Sequence, residues 1–169
     1  MRKIKLFIAC SLDGFIAGEK GEIDWLFTDQ DYGYTPFMKG VDSCVMGRKT
    51  YELAASFPEW PYAEKKCYVL TRNKKIKKDA RAEFVFDAKK LMEKLQKEKG
   101  NGIWVVGGGE VVKLFLNENC LDELIVFVHP LILGKGIPLF PKATKKKLKL
   151  LNTHAFNTGL VRLHYAVEK

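Results

Sequence analysis

The sequence predicts an α/β fold: a mixed, mostly parallel sheet flanked by helices on both faces, finished by a C-terminal antiparallel hairpin. Three observations carry this. Short apolar runs rich in β-branched and aromatic residues alternate with segments of helical periodicity. Two of those runs enter helices through glycine. The last two have no helical pattern between them and flank the turn residues Asn157-Thr158-Gly159.

In chain order, Lys3–Cys10 reads as a strand of Ile, Leu and Phe, followed by a loop over Ser11–Asp24 that holds Gly14, Gly18 and Gly21. A short helix is expected within Asp31–Lys39, where Pro36 suits only a first turn. Ser43–Met46 is a buried strand leading into a helix over Gly47–Ala55. Lys66–Thr71 and Phe84–Phe86 are strands. Asp87 is a good N-cap for a helix over Ala88–Lys99, with Leu91, Met92 and Leu95 as its apolar stripe and Gly100 as its C′ residue. Ile103–Val106 is a strand, Glu110–Leu116 a helix, and Leu124–Val128, Leu148–His154 and Val161–Val167 are the closing strands.

The 169 residues suit one domain, 1–169, and 47% hydrophobic with 29% charged residues is a globular composition. No apolar run approaches the roughly 18–20 residues that span a bilayer, so no membrane partner is expected. The basic start meets Asp13 without a small-residue cleavage site, which argues against a secretory signal. The scattered cysteines (Cys10, Cys44, Cys67, Cys120) form no CxxC pair or metal-ligand spacing, so a reduced, cytoplasmic, metal-free protein is expected. His129, His154 and His164 form no ligand spacing either.

The net charge of +9 admits a nucleic acid, an anionic surface or a phosphorylated small molecule as partner. The excess is lysine, concentrated at 74–78 and 145–149, and arginine occurs only five times. Base-reading proteins lean on arginine and on interleaved aromatic residues, which both runs lack, so no nucleic-acid partner is expected.

The chemistry-bearing segments are Met46-Gly47-Arg48-Lys49-Thr50-Tyr51-Glu52 and Val105-Val106-Gly107-Gly108-Gly109-Glu110-Val111-Val112. Each is a buried strand turning through glycine into a helix, which presents backbone N–H groups at the positive end of the helix dipole. Two such junctions, one carrying two cations and a hydroxyl, suit the paired phosphates of a dinucleotide. Glycine at such a junction also permits close strand-to-helix packing, the lesser reading for the two together. The triple glycine is not a Rossmann fingerprint, because Val112 stands where the third glycine would be.

Taken with Ile8-Ala9-Cys10-Ser11-Leu12-Asp13-Gly14-Phe15-Ile16-Ala17, these segments resemble the dihydrofolate reductase superfamily. The Ser-Leu-Asp-Gly opening and the stretch from Asp122 through Pro130 to Leu133-Gly134-Lys135-Gly136-Ile137-Pro138-Leu139-Phe140 resemble most the reductase domain of bifunctional riboflavin-biosynthesis deaminase-reductases. The resemblance implies a dihydrofolate reductase-like sheet of eight strands and the cofactor NADPH. Ala9 and Ile16 would face the nicotinamide, and Gly14–Ala17 would begin a loop that closes over it. Gly47, Arg48, Lys49 and Thr50 would hold phosphates, and Leu70, Thr71 and Arg72 would frame the adenosine end. Val106, Gly107, Gly108 and Gly109 would pass beneath the pyrophosphate and nicotinamide, with Glu110, Val111 and Val112 following.

The resemblance also implies hydride transfer to a C=N or C1′ carbon of a pyrimidine or pteridine, by a phosphoribosylamino-uracil reductase, a dihydrofolate reductase or another small-molecule reductase. The acidic partner falls on Asp31 counting from Gly47 and on Gln30 counting from Trp25, and Asp13 is a second candidate. Glu110 stands where the folate branch often has arginine, and would repel a phosphate unless it points away. The deaminase signatures H-x-E and P-C-x-x-C are absent, so a stand-alone reductase domain is expected; Leu131–Phe140 reads equally as a homodimer surface, as in the resembling branch, or as part of a buried terminal hairpin.

Overall fold

The computed structural model describes residues 2–169. Its elements are β1 (Ile4–Ser11), β2 (Phe15–Ala17), α1 (Tyr34–Lys39), β3 (Val41–Gly47), α2 (Arg48–Ala55), β4 (Lys66–Leu70) and β5 (Glu83–Val85). They continue with α3 (Ala88–Lys97), β6 (Gly102–Gly107), α4 (Gly109–Asn117), β7 (Glu123–His129), β8 (Ile137–Pro138), β9 (Leu148–Ala155) and β10 (Val161–Val167). Eight strands form one sheet in the order β5-β4-β3-β6-β1-β7-β10-β9. All neighbours from β5 to β7 are parallel, and β10 runs antiparallel to both β7 and β9.

This order places the helices. The crossovers β1–β3 and β3–β4 step one way along the sheet, and β5–β6 and β6–β7 step the other way. Right-handed crossovers therefore put α1 and α2 on one face and α3 and α4 on the opposite face. The two cores agree with this. Leu91, Met92 and Leu95 of α3 and Val111, Val112, Phe115 and Leu116 of α4 pack on Leu6, Val45, Tyr68 and Val105. Phe37 and Met38 of α1 and Tyr51 and Ala54 of α2 pack on Cys44, Met46, Val69 and Trp104. The four buried α4 side chains alone contribute on the order of 6–12 kcal/mol of hydrophobic stabilisation.

The direction of the crossovers reverses between β3 and β6. Ligands in open α/β sheets bind outside the carboxyl ends of the strands at such a switch. Those ends are Gly47 and Gly107, and Met46 is paired in register with Gly107.

Several expectations are revised. Asp87 does cap α3, accepting the Lys90 N–H at 3.1 Å, but the helix ends at Lys97 and Gly100 is not its C′ residue. Arg2 donates to Glu98 and to the Asn101 carbonyl, and the Asp42 carboxylate accepts the Asn101 N–H at 2.6 Å. These distant partners pull 98–101 off the helix axis. Two short strands lie within segments read as irregular: β2 pairs with β8, holding the loop after β1 against the 131–140 stretch. In the expected dimer surface at Leu131–Phe140, Leu139 is buried inside the chain, while Ile132 and Phe140 are exposed. Among the described residues no helix is long and apolar enough to cross a membrane.

Candidate functional site

The two glycine junctions touch. The Thr50 side chain, in the first turn of α2, accepts the Gly108 N–H at 3.1 Å, so the hydroxyl of one junction holds the backbone of the other. A Cβ on Gly47 would lie 3.3 Å from a Val111 methyl, and one on Gly107 would lie 3.3 Å from Ile8 Cδ1. A Cβ on Gly108 would meet only the Thr50 hydroxyl, at 3.5 Å. Glycine is favoured at Gly107 by its φ of +139°, and at Gly47 it lets the Val111 side chain of α4 approach closely. The first N–H groups of α2 and α4, which have no partner within their helices, open side by side at the switch.

Gly109 does different work. Its Cβ would come within 2.4 Å of the Pro138 carbonyl oxygen and 2.9 Å of the Pro141 ring. This third glycine lets α4 dock against β8, while its N–H remains the first of α4. Val112 is fully buried and Val111 nearly so, which removes Val112 from any ligand surface and leaves Val111 as the wall behind Gly47.

Glu110 points into solvent and pairs with Lys113 at 2.8 Å, so its carboxylate is turned away from the junction. Arg48 pairs with Glu52 at 2.5 Å on the exposed face of α2, and Lys49 is exposed beside it. Leu70 lies in register with Gly47 on the neighbouring strand. Thr71 is buried, donates its N–H to Val85 and accepts the Asn73 N–H on its hydroxyl, which fixes the turn that presents exposed Arg72. Val106 is half-buried in the α1–α2 core. Ala9 is half-buried and paired in register with Phe127, and Ile16 packs against the α3–α4 core.

The two aspartates are engaged elsewhere. Asp31 accepts the Gly33 and Thr35 N–H groups and the Thr35 hydroxyl, the last at 2.6 Å, which is a cap on the entry to α1. Asp13 accepts the Ser11 hydroxyl at 2.6 Å and the N–H groups of Leu133 and Gly134, tying the loop after β1 to the loop after β7. The hydrogen bond from Thr35 lowers the carboxyl pKa of Asp31, and that from Ser11 does the same for Asp13. Both carboxylates act as hydrogen-bond acceptors in these contacts. Gln30 makes only a long contact to Asp29, at 3.5 Å.

His129, at the carboxyl end of β7, has a role that its isolation in the sequence concealed. It is 3% exposed, pairs in register with Ser11, and its Nε2 accepts the Phe27 N–H at 3.2 Å. The rings of Trp25 and Phe27 stand edge-on to it at 5.1 and 4.9 Å. Burial lowers its pKa, so the ring is neutral, as an acceptor must be. His129 holds the 25–27 segment against the end of the sheet. A Trp-x-Phe segment upstream of a strand ending His-Pro was the available signal.

Beside this segment a cavity of about 620 Å³ lies between Gly18–Trp25 and Leu133–Lys135. The row Leu70, Gly47, Gly107 and the pair Ser11–His129 thus share one edge of the sheet. Backbone donors and cations stand at one end of that edge, and at the other a recess lined by Trp25 together with Glu19, Glu22, Asp24, Lys20 and Lys135. The donor-rich end suits the anionic part of a ligand laid along the strand ends.

The model of the RibD C-terminal domain family matches residues 2–162. The uncharacterized protein YwjB of Bacillus subtilis (strain 168) is 43% identical over 170 residues, covering 97% of each chain. The crystal structure of a putative riboflavin biosynthesis protein from Shewanella sp. PV-4 superposes with a TM-score of 0.86 at 28% identity, over 99% of both chains. A diaminohydroxyphosphoribosylaminopyrimidine deaminase/5-amino-6-(5-phosphoribosylamino)uracil reductase from Thermotoga maritima shares the fold at TM-score 0.77 and 17% identity. It matches 99% of this chain and 57% of its own.

Proposed function

The chain belongs to the RibD C-terminal domain family, and from that membership we propose that it is an NADPH-dependent reductase of the phosphoribosylamino-uracil reductase type. The observation that carries this reading is the joined pair of glycine junctions at the crossover reversal, latched by Thr50 to Gly108. The cradle fits a pyrophosphate. Gly108 leaves its ligand side open, Gly47 and Gly107 tolerate no side chain without displacing a neighbour, and two helix N-termini converge there.

The residues that would hold NADPH are Gly47, Arg48, Lys49 and Thr50 at one junction and Gly107 and Gly108 at the other. Leu70 and Arg72 would flank the adenosine end, and Ala9 and Ile16 the nicotinamide end. Glu110 faces away and does not oppose the 2′-phosphate. Bound there, NADPH supplies a hydride, and the remaining work is the protein's. The Asp13 tie and the β2–β8 pairing fix the loop over the strand ends. His129 fixes the Trp25–Phe27 wall. Together they orient the acceptor carbon and exclude water. Because Asp13 and Asp31 are engaged as charged acceptors, the reading assigns the chain orientation and charge neutralisation, with no carboxylic acid as proton donor.

The acceptor in this reading is a phosphoribosylamino-pyrimidine, reduced at the ribose C1′. Mixing the protein with NADPH and that substrate tests it by the loss of the reduced-nicotinamide absorbance. Turnover supports the reading. Turnover only with a pteridine would move the chain to the folate-type alternative, and NADPH binding with no turnover on either would reject both substrates.

The reading includes a homodimer, supported by β9. All eight of its residues are exposed, Leu148, Leu150 and Leu151 among them, on an unpaired edge of the sheet. Light scattering of the purified protein tests this part, and a monomeric mass would reject it.

A further inference from the structure

Cys44 of β3 and Cys67 of β4 are partners in register on adjacent parallel strands, 23 residues apart in sequence, and their sulfurs lie 3.0 Å apart. Both are buried, at 0% and 3% exposure, in the core beneath α1 and α2. Neighbouring strands hold paired Cα atoms at about 4.8 Å, inside the span that a disulfide bridges. Among the described residues Cys10 and Cys120 make no such contact; the Cys120 sulfur meets the Gln96 amide and the Glu118 carbonyl.

The pair is one layer below a surface groove. The Cys67 sulfur is 3.5 Å from the Lys65 carbonyl oxygen and 4.0 Å from that of Tyr62. Tyr62 and Lys65, with Trp60, Tyr34 and Met38, line a groove of about 610 Å³ between α1 and the 60–65 segment. That segment is a short cover over the sulfurs. It is held by Lys65, which donates to the Met38 and Val41 carbonyls at 2.9 and 2.8 Å.

We propose that Cys44 and Cys67 are a reversible oxidation site that forms an intrachain disulfide with peroxides reaching it through the groove under the 60–65 segment. The Cys67 sulfur attacks the peroxide oxygen. The O–O bond breaks, Cys67 becomes a sulfenic acid, and an alcohol, or water from hydrogen peroxide, departs. The Cys44 sulfur then attacks the sulfenic sulfur and releases water, so two thiols and one peroxide give one disulfide, one water and the reduced peroxide. The hydrogen bond from Cys44 lowers the Cys67 thiol pKa and raises that of Cys44, which makes Cys67 the attacking member.

The site stands whether or not the chain is a reductase. Cys44 and Cys67 are three residues before Gly47 and Leu70, so the disulfide would tie together the two strands that end at the phosphate junction. Crosslinking residues this far apart constrains the unfolded chain more than the folded one. The expected rise in Tm is roughly 5–10 °C for a domain of this size.

The test is intact-mass and peptide mapping of the folded, wild-type protein after hydrogen peroxide treatment, with thermal unfolding alongside. The expected result is a loss of two hydrogens, one peptide pair linked through Cys44 and Cys67, a higher Tm, and full reversal by dithiothreitol. Cys44→Ser should instead leave Cys67 as a sulfenic acid that dimedone traps, with no rise in Tm. The proposal is overturned if the wild type stays unoxidised, if only irreversible oxygen adducts accumulate on either cysteine, or if a linkage forms between chains.

Discussion

Gly109→Ala separates packing from ligand binding at the triple glycine. The added methyl would lie 2.4 Å from the Pro138 carbonyl oxygen and 2.9 Å from the Pro141 ring, both too close for a real contact. Neither neighbour can swing aside, because one is backbone of β8 held by β2 and the other a proline ring. Overpacking of this kind costs about 1–3 kcal/mol. With an unfolding entropy of about 0.35 kcal/mol/K for 169 residues, the Tm should fall by about 3–8 °C. Gly108→Ala is the matched comparison, because its methyl meets only the Thr50 hydroxyl at 3.5 Å. That variant keeps its N–H on Thr50 but should lose NADPH affinity by about tenfold or more, because the added methyl takes space on the open ligand side. Scanning calorimetry and NADPH titration read both quantities. A Gly109→Ala protein with unchanged Tm and a tenfold loss of NADPH affinity would refute the reasoning.

Arg48→Ala should weaken NADPH binding by about tenfold through loss of a charged phosphate contact, while leaving the unfolding midpoint in urea unchanged, because its pairing with Glu52 is exposed. Asp31→Ala removes the cap on α1 and should lower the Tm, yet leave NADPH oxidation with the preferred substrate within about twofold, since the carboxylate acts on structure and not on the reacting atoms. His129 has a lowered pKa in the folded state, so the stability it contributes is present above its unfolded value near 6.5 and is lost as pH falls below that. Wild type should therefore lose up to about 1.4 kcal/mol per pH unit more than His129→Gln in urea unfolding below pH 6.5, and parallel curves for the two would rule this out.

Much of the fold was legible because its strands are buried on both faces and read as continuous apolar runs between helical stripes. Leu91, Met92 and Leu95 placed α3, and Gly47 and Gly107 placed the two junctions. What escaped depends on partners far away in sequence. Phe15–Ala17 is a strand only because Ile137–Pro138 pairs with it, and α3 stops early because Arg2 and Asp42 grip 98–101. The same reason governs the site. Residue type and order suggested that all three glycines served a ligand, and only the distance to Pro138 shows that Gly109 also packs α4 on β8. Asp31 had the type of an acid, and its neighbour Thr35 made it a cap. His129 showed no motif, and its partner Phe27 lies 102 residues away.

The central claim is that the latched junctions of β3–α2 and β6–α4 form one dinucleotide site. Titrating NADPH into isotope-labelled protein and following backbone amide resonances tests it most directly. The account predicts saturable shifts concentrated at Arg48, Lys49, Thr50, Gly107 and Gly108, with Lys113 and the β9 strand unmoved. Saturable binding that shifts other residues and leaves these in place, or no binding at millimolar NADPH, would contradict it.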